Sequence, residues 1–144
     1  MKNKKVIKLL GALFLILVII SAQTMIFAQS DGITVQIYKN TKGMIYGFVV
    51  SGTSGYAEKG YDIIASGVSA IVLNTIQSIE KFTNDKIDRE IKQEGPYIKV
   101  IMPELKNNKG SKEAIVLLKS MALGMESISS TYGVEYVKVK YISK

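Results

Sequence analysis

The side chains that most often carry enzymatic chemistry are missing from this sequence. Its 144 residues include no histidine and no cysteine. Such a chain has no imidazole base, no thiolate nucleophile, no disulfide and no Cys or His ligand for zinc. The chemistry that remains rests on carboxylates, lysines, hydroxyls and the backbone. We expect neither a metal site nor a cofactor.

Groups that could still do chemistry are concentrated in the segment Val50–Ile71, VSGTSGYAEKGYDIIASGVSAI. A strand pattern leads into a glycine-containing loop and then into a helical pattern, which is the arrangement of a phosphate-binding loop. That loop requires Lys and then Ser or Thr after its last glycine, whereas Tyr61 and Asp62 follow Gly60. Asp62 instead predicts a helix cap, and its charge would repel an anion. A phosphate site is therefore not expected.

Other interpretations of this segment use its hydroxyl, amine and carboxylate groups. Ser66 could be a nucleophile with Lys59 as its base, but a loop lysine beside an acid is usually solvated. Glu58 and Asp62 could form the carboxylate pair of a glycosidase, although no carbohydrate cleft is indicated. The small residues of Ala65–Ala70 allow either a ligand or a neighbouring backbone to approach closely, and the sequence does not decide between them.

The hydrophobic periodicity indicates the elements that must position this segment. Alternating apolar residues predict strands over residues 33–38, 44–51, 86–93, 97–102 and 134–142. Apolar residues three or four apart predict one helix over residues 61–82 and a second between a Ser111 cap and a Gly133 stop. The order β-β-α-β-β-α-β predicts an α+β fold of two layers, with a mainly antiparallel sheet and both helices on one face.

The first thirty residues predict a targeting segment that precedes one domain over residues 31–144. Lysines near the start are followed by an apolar run from Leu9 to Ile20, and Ala28–Ser30 fits signal peptidase cleavage before Asp31. The pattern predicts a signal peptide or an N-terminal membrane anchor over residues 1–30. We therefore expect an exported domain, secreted or membrane-anchored, in the cell envelope, the periplasm or the extracellular space.

The positive charge of the chain does not indicate a nucleic-acid partner. The formal net charge is +7, but four of the nineteen basic residues lie within residues 2–8. Residues 31–144 carry fifteen basic and twelve acidic side chains, and Arg89 is the only arginine of the chain. Bidentate recognition of phosphate or guanine therefore has almost nothing to work with.

The segment Val50–Ile71 resembles the ribosomal-processing cysteine protease Prp family, through V-S-G-x-x-G-Y-A-E-x-G-x-D-I-[IV]-x-x-x-V-S-A. The similarity extends from Ile33 to Ile142 and includes the opening I-x-V-x-I strand and a second helix close to L-x-x-M-x-x-G-x-x-S-I. It implies a small α/β homodimer. Members of the family remove an N-terminal extension from a large-subunit ribosomal protein, with a histidine in the loop and a cysteine at the start of the first helix.

The resemblance implies that the site has lost its catalytic pair. The family's histidine position falls on Thr53, and its cysteine position falls on Ala65. A methyl group cannot attack a carbonyl, and a threonine hydroxyl cannot act as a base at neutral pH. Ser66 lies about 100° further around the helix and is expected to point elsewhere. The family-motif positions that are retained are Gly52, Gly60, Asp62, Ser69 and Ala70.

We therefore predict an exported, non-catalytic Prp-family homologue, which acts as a homodimeric binding module. Its expected ligand is a peptide or protein at the loop and helix start of Gly52–Ala70, and its N-terminal segment would hold it at a membrane if uncleaved. Two alternatives stay open. One is a hydrolase with Ser66 as a relocated nucleophile, and the other is a protein that carries the family's protease label without its dyad.

Overall fold

A computed structural model describes residues 31–92 and 95–143 of the chain. The predicted signal peptide or membrane anchor over residues 1–30 lies outside the described residues. The elements, in chain order, are β1 (Ile33–Lys39), β2 (Ile45–Ser51), α1 (Ile63–Phe82), β3 (Asp88–Lys92), β4 (Tyr97–Ile101), α2 (Pro103–Lys106), α3 (Lys112–Tyr132) and β5 (Val137–Ser143).

The strands form one five-stranded sheet in the order β3-β4-β2-β1-β5. The pairs β1–β2, β2–β4 and β3–β4 are antiparallel, whereas β5 is parallel to β1, with Ile33 opposite Val137. A parallel neighbour requires a crossover connection, and α3 supplies it immediately before β5. The predicted α+β fold with a mainly antiparallel sheet is confirmed.

The two long helices lie side by side on one face of the sheet and enclose the core with it. Phe48 and Ile37 of the sheet are fully buried, as are Ile79 of α1 and Leu118 of α3. By length and composition alone α1 could span a membrane. Its buried residues nevertheless pack into this core, and the core helix of a folded domain meets the same criterion.

Small residues allow α1 and α3 to approach closely. A Cβ atom at Gly124 of α3 would lie 3.0 Å from the Ile71 side chain, and one at Gly67 of α1 would lie 3.5 Å from Ile128. The close approach therefore depends on Gly124, whereas a Cβ atom at Gly67 would make only an ordinary contact with α3. Ser66, Ser69 and Ala70 of the small segment Ala65–Ala70 are exposed.

One short helix and one strand boundary correct the sequence prediction. Residues 103–106 form the short helix α2, which was not predicted because four residues are too few to show a helical period. Its Leu105 is buried, and its carbonyl accepts a hydrogen bond from the Asn40 side chain at 2.9 Å. The last strand begins at Val137 rather than Val134, because Gly133 (φ 115°) ends α3 and its carbonyl accepts from the N–H groups of Tyr136 and Val137.

Candidate functional site

The candidate site begins where β2 leaves the sheet, at Gly52. This residue has φ 91°, and a Cβ atom there would lie 2.6 Å from the carbonyl oxygen of Gly32. Its N–H donates to the carbonyl of Pro96 at 3.0 Å. Glycine is needed at this position because other residues would be strained and would also collide with the backbone.

Asp62 links the start of the loop to the start of α1. It is the N-cap of the helix, and its Oδ1 accepts from the Ala65 N–H at 2.8 Å. Its Oδ2 accepts from the hydroxyl of Ser54, which is buried. The Ser54 hydroxyl oxygen in turn accepts from the Tyr56 N–H at 3.0 Å. The carboxylate thus holds a loop turn and a helix terminus together. The helix cap was predicted, and the contact with Ser54 is additional.

A small aromatic cluster attaches the same loop to the end of α3. The Tyr56 ring meets Tyr132 edge-on at 6.4 Å between centroids and Tyr136 at 5.4 Å. Edge-to-face geometry at these distances is favourable. The first half of the loop is therefore held at α1 by the Ser54–Asp62 hydrogen bond and at the end of α3 by the Tyr56 ring.

A cleft of about 650 Å³ opens between this loop, the first two turns of α1 and the start of β4. That volume lies within the range of about 300–1,000 Å³ that is usual for ligand sites. The residues that line the cleft are Thr53, Gly55, Ala57, Lys59, Gly60, Asp62, Ala65, Ser66, Ser69 and Pro96.

The cleft brings together the two positions that the resemblance assigned to the catalytic pair. Thr53 lies in the loop and Ala65 in the first turn of α1, and both line the cleft. Three retained motif positions, Gly60, Asp62 and Ser69, line it as well. Gly52 and Ala70 are not among the lining residues. Gly52 acts through the backbone turn, and Ala70 is exposed on α1.

Ser66 lies beside the cleft together with Ala65, although the two residues are about 100° apart around the helix. Both residues line the cleft, because an open cleft extends around more than one face of the helix start. The Ser66 hydroxyl donates to the Asp62 carbonyl at 2.8 Å. Its proton is thus directed to a backbone acceptor rather than to a base such as Lys59.

The carboxylate pair considered for a glycosidase does not meet in the cleft. Asp62 lines it, whereas Glu58 is exposed and is not among the lining residues. Over the described ranges, no group of three or more carboxylates is arranged to hold a metal ion.

Two residues of the site were missed by sequence reasoning. Ser54 carries a weak local signal, because a serine two residues before a turn N–H often accepts from it. Pro96 carries none, since it lies more than forty residues from Gly52 in the chain. The antiparallel pairing of β2 with β4, which places Ser51 opposite Tyr97, brings Pro96 to the cleft.

The same fold occurs in solved structures. A Staphylococcus aureus ribosomal processing protease Prp, in complex with a covalently linked product peptide, matches with a TM-score of 0.70 and 24% identity, over 76% of this chain and 99% of that one. The same protease with a substrate peptide matches with a TM-score of 0.65. A Streptococcus mutans protein matches with a TM-score of 0.67 and 20% identity, over 79% of this chain and 97% of that one.

Curated relatives contradict the predicted export. A ribosomal processing cysteine protease Prp from Staphylococcus aureus is 25% identical over 109 residues, which is 76% of this chain and 98% of the relative. A Bacillus subtilis protein of the same name is 25% identical over 88 residues, 61% of this chain and 79% of the relative. Both are named for processing ribosomal material, and ribosomes lie in the cytoplasm. The prediction of an envelope, secreted or extracellular location is therefore wrong.

Most of the chain, not only the loop motif, carries the family similarity. The sequence model of the family described as cysteine protease Prp matches residues 32–138. This span runs from just before β1 into β5 and includes every residue of the cleft. Together with the curated relatives and the shared fold, it shows that the chain belongs to the cysteine protease Prp family.

Proposed function

We propose that this chain is a non-catalytic Prp homologue that binds a peptide in the cleft without cutting it. The observation that supports this proposal is the placement of Thr53 and Ala65 on the walls of one cleft. In a chain without cysteine or histidine, these side chains supply neither a thiolate nor an imidazole. The Ser66 hydroxyl, in the first turn of α1, directs its proton to a backbone carbonyl.

A peptide is the ligand class that the cleft favours. The Staphylococcus aureus protease of the same fold was solved with a substrate peptide and with a product peptide. Loss of two catalytic side chains leaves such a groove in place. The groove is shaped by Gly52 and by the hydrogen bonds that Asp62 accepts from the Ser54 hydroxyl and the Ala65 backbone N–H, and none of these uses the side chain of residue 53 or 65. Binding and chemistry are therefore separable in this site.

The binding test uses the full chain and a fluorescein-labelled peptide that spans the cleavage position of the ribosomal protein cut by Prp proteases. We expect saturable binding by fluorescence anisotropy and an intact peptide by mass spectrometry. Ser69→Trp places a large side chain in the cleft and should weaken binding at least tenfold. Ser120→Trp, at an exposed position of α3, is the matched control. Equal affinity of the two variants, or cleavage by the wild type, would refute the proposal.

A thiol at Ala65 tests the assignment of the catalytic positions. The N-terminus of α1 should favour the thiolate of Ala65→Cys and so lower the pKa of this thiol. The larger thiolate fraction at pH 7 is partly offset by lower intrinsic nucleophilicity, so we expect a net gain in alkylation rate of about twofold. Adding Thr53→His should increase the rate further, through pairing of thiolate and imidazolium.

The reference for this test is Lys92→Cys, on the exposed edge strand β3. Iodoacetamide alkylation of the three variants at pH 6–8 gives the comparison. If Ala65→Cys reacts no faster than Lys92→Cys, with or without Thr53→His, the assignment of the two positions is wrong.

We also propose that the chain is a homodimer, as the resemblance implies. Exposed apolar side chains on the helical layer, among them Leu73, Val116 and Leu123, offer surface that an interface would bury. A stable dimer usually buries at least about 1,200 Å². Sedimentation velocity of the full chain at micromolar concentration should show a dimer, and a monomer at that concentration would contradict this proposal.

A further inference from the structure

Charge is distributed unevenly in the cleft. Among the described residues, two ionisable side chains line it, Lys59 and Asp62, and the other lining residues are small, hydroxylic or apolar. Which of these two charges is available to a ligand therefore depends on the contacts that each group already makes within the protein.

The Asp62 carboxylate is committed to the protein. One oxygen accepts from the Ala65 N–H at 2.8 Å, and the other accepts from the buried Ser54 hydroxyl. Both donors hold the carboxylate in place at the positive end of α1, which further offsets its charge. A ligand cation would have to compete with these internal hydrogen bonds for it.

The Lys59 ammonium has no such commitment. Lys59 makes no salt bridge with any acid in the part of the chain that the structure describes, although Glu58 is its neighbour in sequence. It is exposed on the loop and contributes to the cleft wall. An ammonium group carries three donors and pairs readily with a carboxylate.

From this imbalance we infer that the cleft selects peptides that present a carboxylate to Lys59. The inference rests on the proposed peptide-binding function and adds the chemistry by which the peptide is chosen. The carboxylate can be the free C-terminus of a peptide that has already been cut, or the side chain of Asp or Glu. A protein that cannot cut its ligand but holds a free carboxylate would bind a cleaved peptide in preference to the uncut one.

Three forms of one labelled peptide test this inference on the full chain by fluorescence anisotropy. The first peptide ends with a free carboxylate at the position where Prp proteases cut their ribosomal protein. The second is the C-terminal amide of the same peptide. The third is also an amide but has Glu as its last residue. We expect the free acid to bind about fivefold more tightly than the amide, the ratio that corresponds to about 1 kcal/mol. Tight binding of the third form identifies a side chain as an equivalent source of the carboxylate.

Lys59→Ala should lower the affinity for the free acid about fivefold more than it lowers the affinity for the amide. Lys42→Ala is the matched control, because Lys42 is an exposed lysine in the turn at the other end of β2. The preference for the acid should also shrink between 0.05 and 0.5 M salt, as expected for a solvent-accessible ion pair. Equal affinity of acid and amide for the wild type, or an unchanged preference in Lys59→Ala, would overturn the inference while peptide binding stands. If none of the three forms binds, the proposed function fails as well.

Discussion

The hydrogen bonds of Asp62 lead to the sharpest prediction for stability. Asp62→Ala removes the N-cap of α1, which typically costs about 1 kcal/mol. It also leaves the Ser54 hydroxyl, which is only 2% exposed, without the acceptor to which it donates. A buried donor without a partner costs about 1–3 kcal/mol more. We therefore expect a total loss of about 2–4 kcal/mol in the free energy of unfolding.

The second long helix provides the control. Ser111 caps α3 in the same way, since its hydroxyl oxygen accepts from the Ala114 N–H at 3.0 Å. Within the described part of the chain, no buried side chain is hydrogen-bonded to the Ser111 hydroxyl, so Ser111→Ala should cost only about 1 kcal/mol. The difference between the two variants measures what the Ser54 contact adds to a helix cap.

Urea unfolding, followed by circular dichroism, gives both values, provided that the m-values of the variants agree. Ser54→Ala and the double variant Ser54→Ala, Asp62→Ala complete a double-mutant cycle with Asp62→Ala, and we expect the coupling energy to be at least about 1 kcal/mol. If Asp62→Ala costs no more than Ser111→Ala, the carboxylate does not hold the loop to the helix. The account of how the cleft is shaped would then be refuted.

The remaining predictions concern stability at alkaline pH, the glycine at the start of the loop and the Ser66 hydroxyl in the cleft. Tyr141 is 43% exposed, and its partial burial, followed by the hydrogen bond to Glu126, raises its pKa to about 12. Ultraviolet titration should show the raised pKa. The neutral phenol should stabilise the fold below about pH 10, and this stability should be lost as the pH rises towards 12. Tyr141→Phe should abolish the loss. Gly52→Ala should destabilise more than Gly43→Ala, because both have positive φ but only the first collides with backbone, and equal losses in thermal melts would contradict this. A fluorophosphonate probe should not label the protein, whereas labelling that Ser66→Ala removes would favour the hydrolase alternative.

Local patterns predicted most of the secondary structure. Helix α1 and strand β1 were evident because burial on one side imposes periods of 3.6 and 2 on their apolar residues. The segment Pro103–Lys106 was not, because its single buried side chain, Leu105, cannot show a period. The start of β5 was misplaced because Val134 is apolar but exposed, in the turn that follows Gly133.

The site was predictable only in part. Asp62 was identified as a helix cap from its position before an apolar period, and Thr53 and Ala65 were identified through the resemblance. Their placement in one cleft could not be derived from spacing, because the loop of eleven residues between β2 and α1 can follow many paths. The buried Ser54 and the tyrosine contacts of the loop select one of them.

The sequence by itself determined which chemistry is missing, because the lack of cysteine and histidine is a property of composition and no fold can restore them. It also determined the type of each long element, since periodicity is local. Only the tertiary structure decided that Pro96 forms a wall of the cleft, that Ser66 shares that cleft with Ala65, and that β5 runs parallel to β1. These features depend on strand register and on the path of a loop, which join residues far apart in the chain and leave no local pattern.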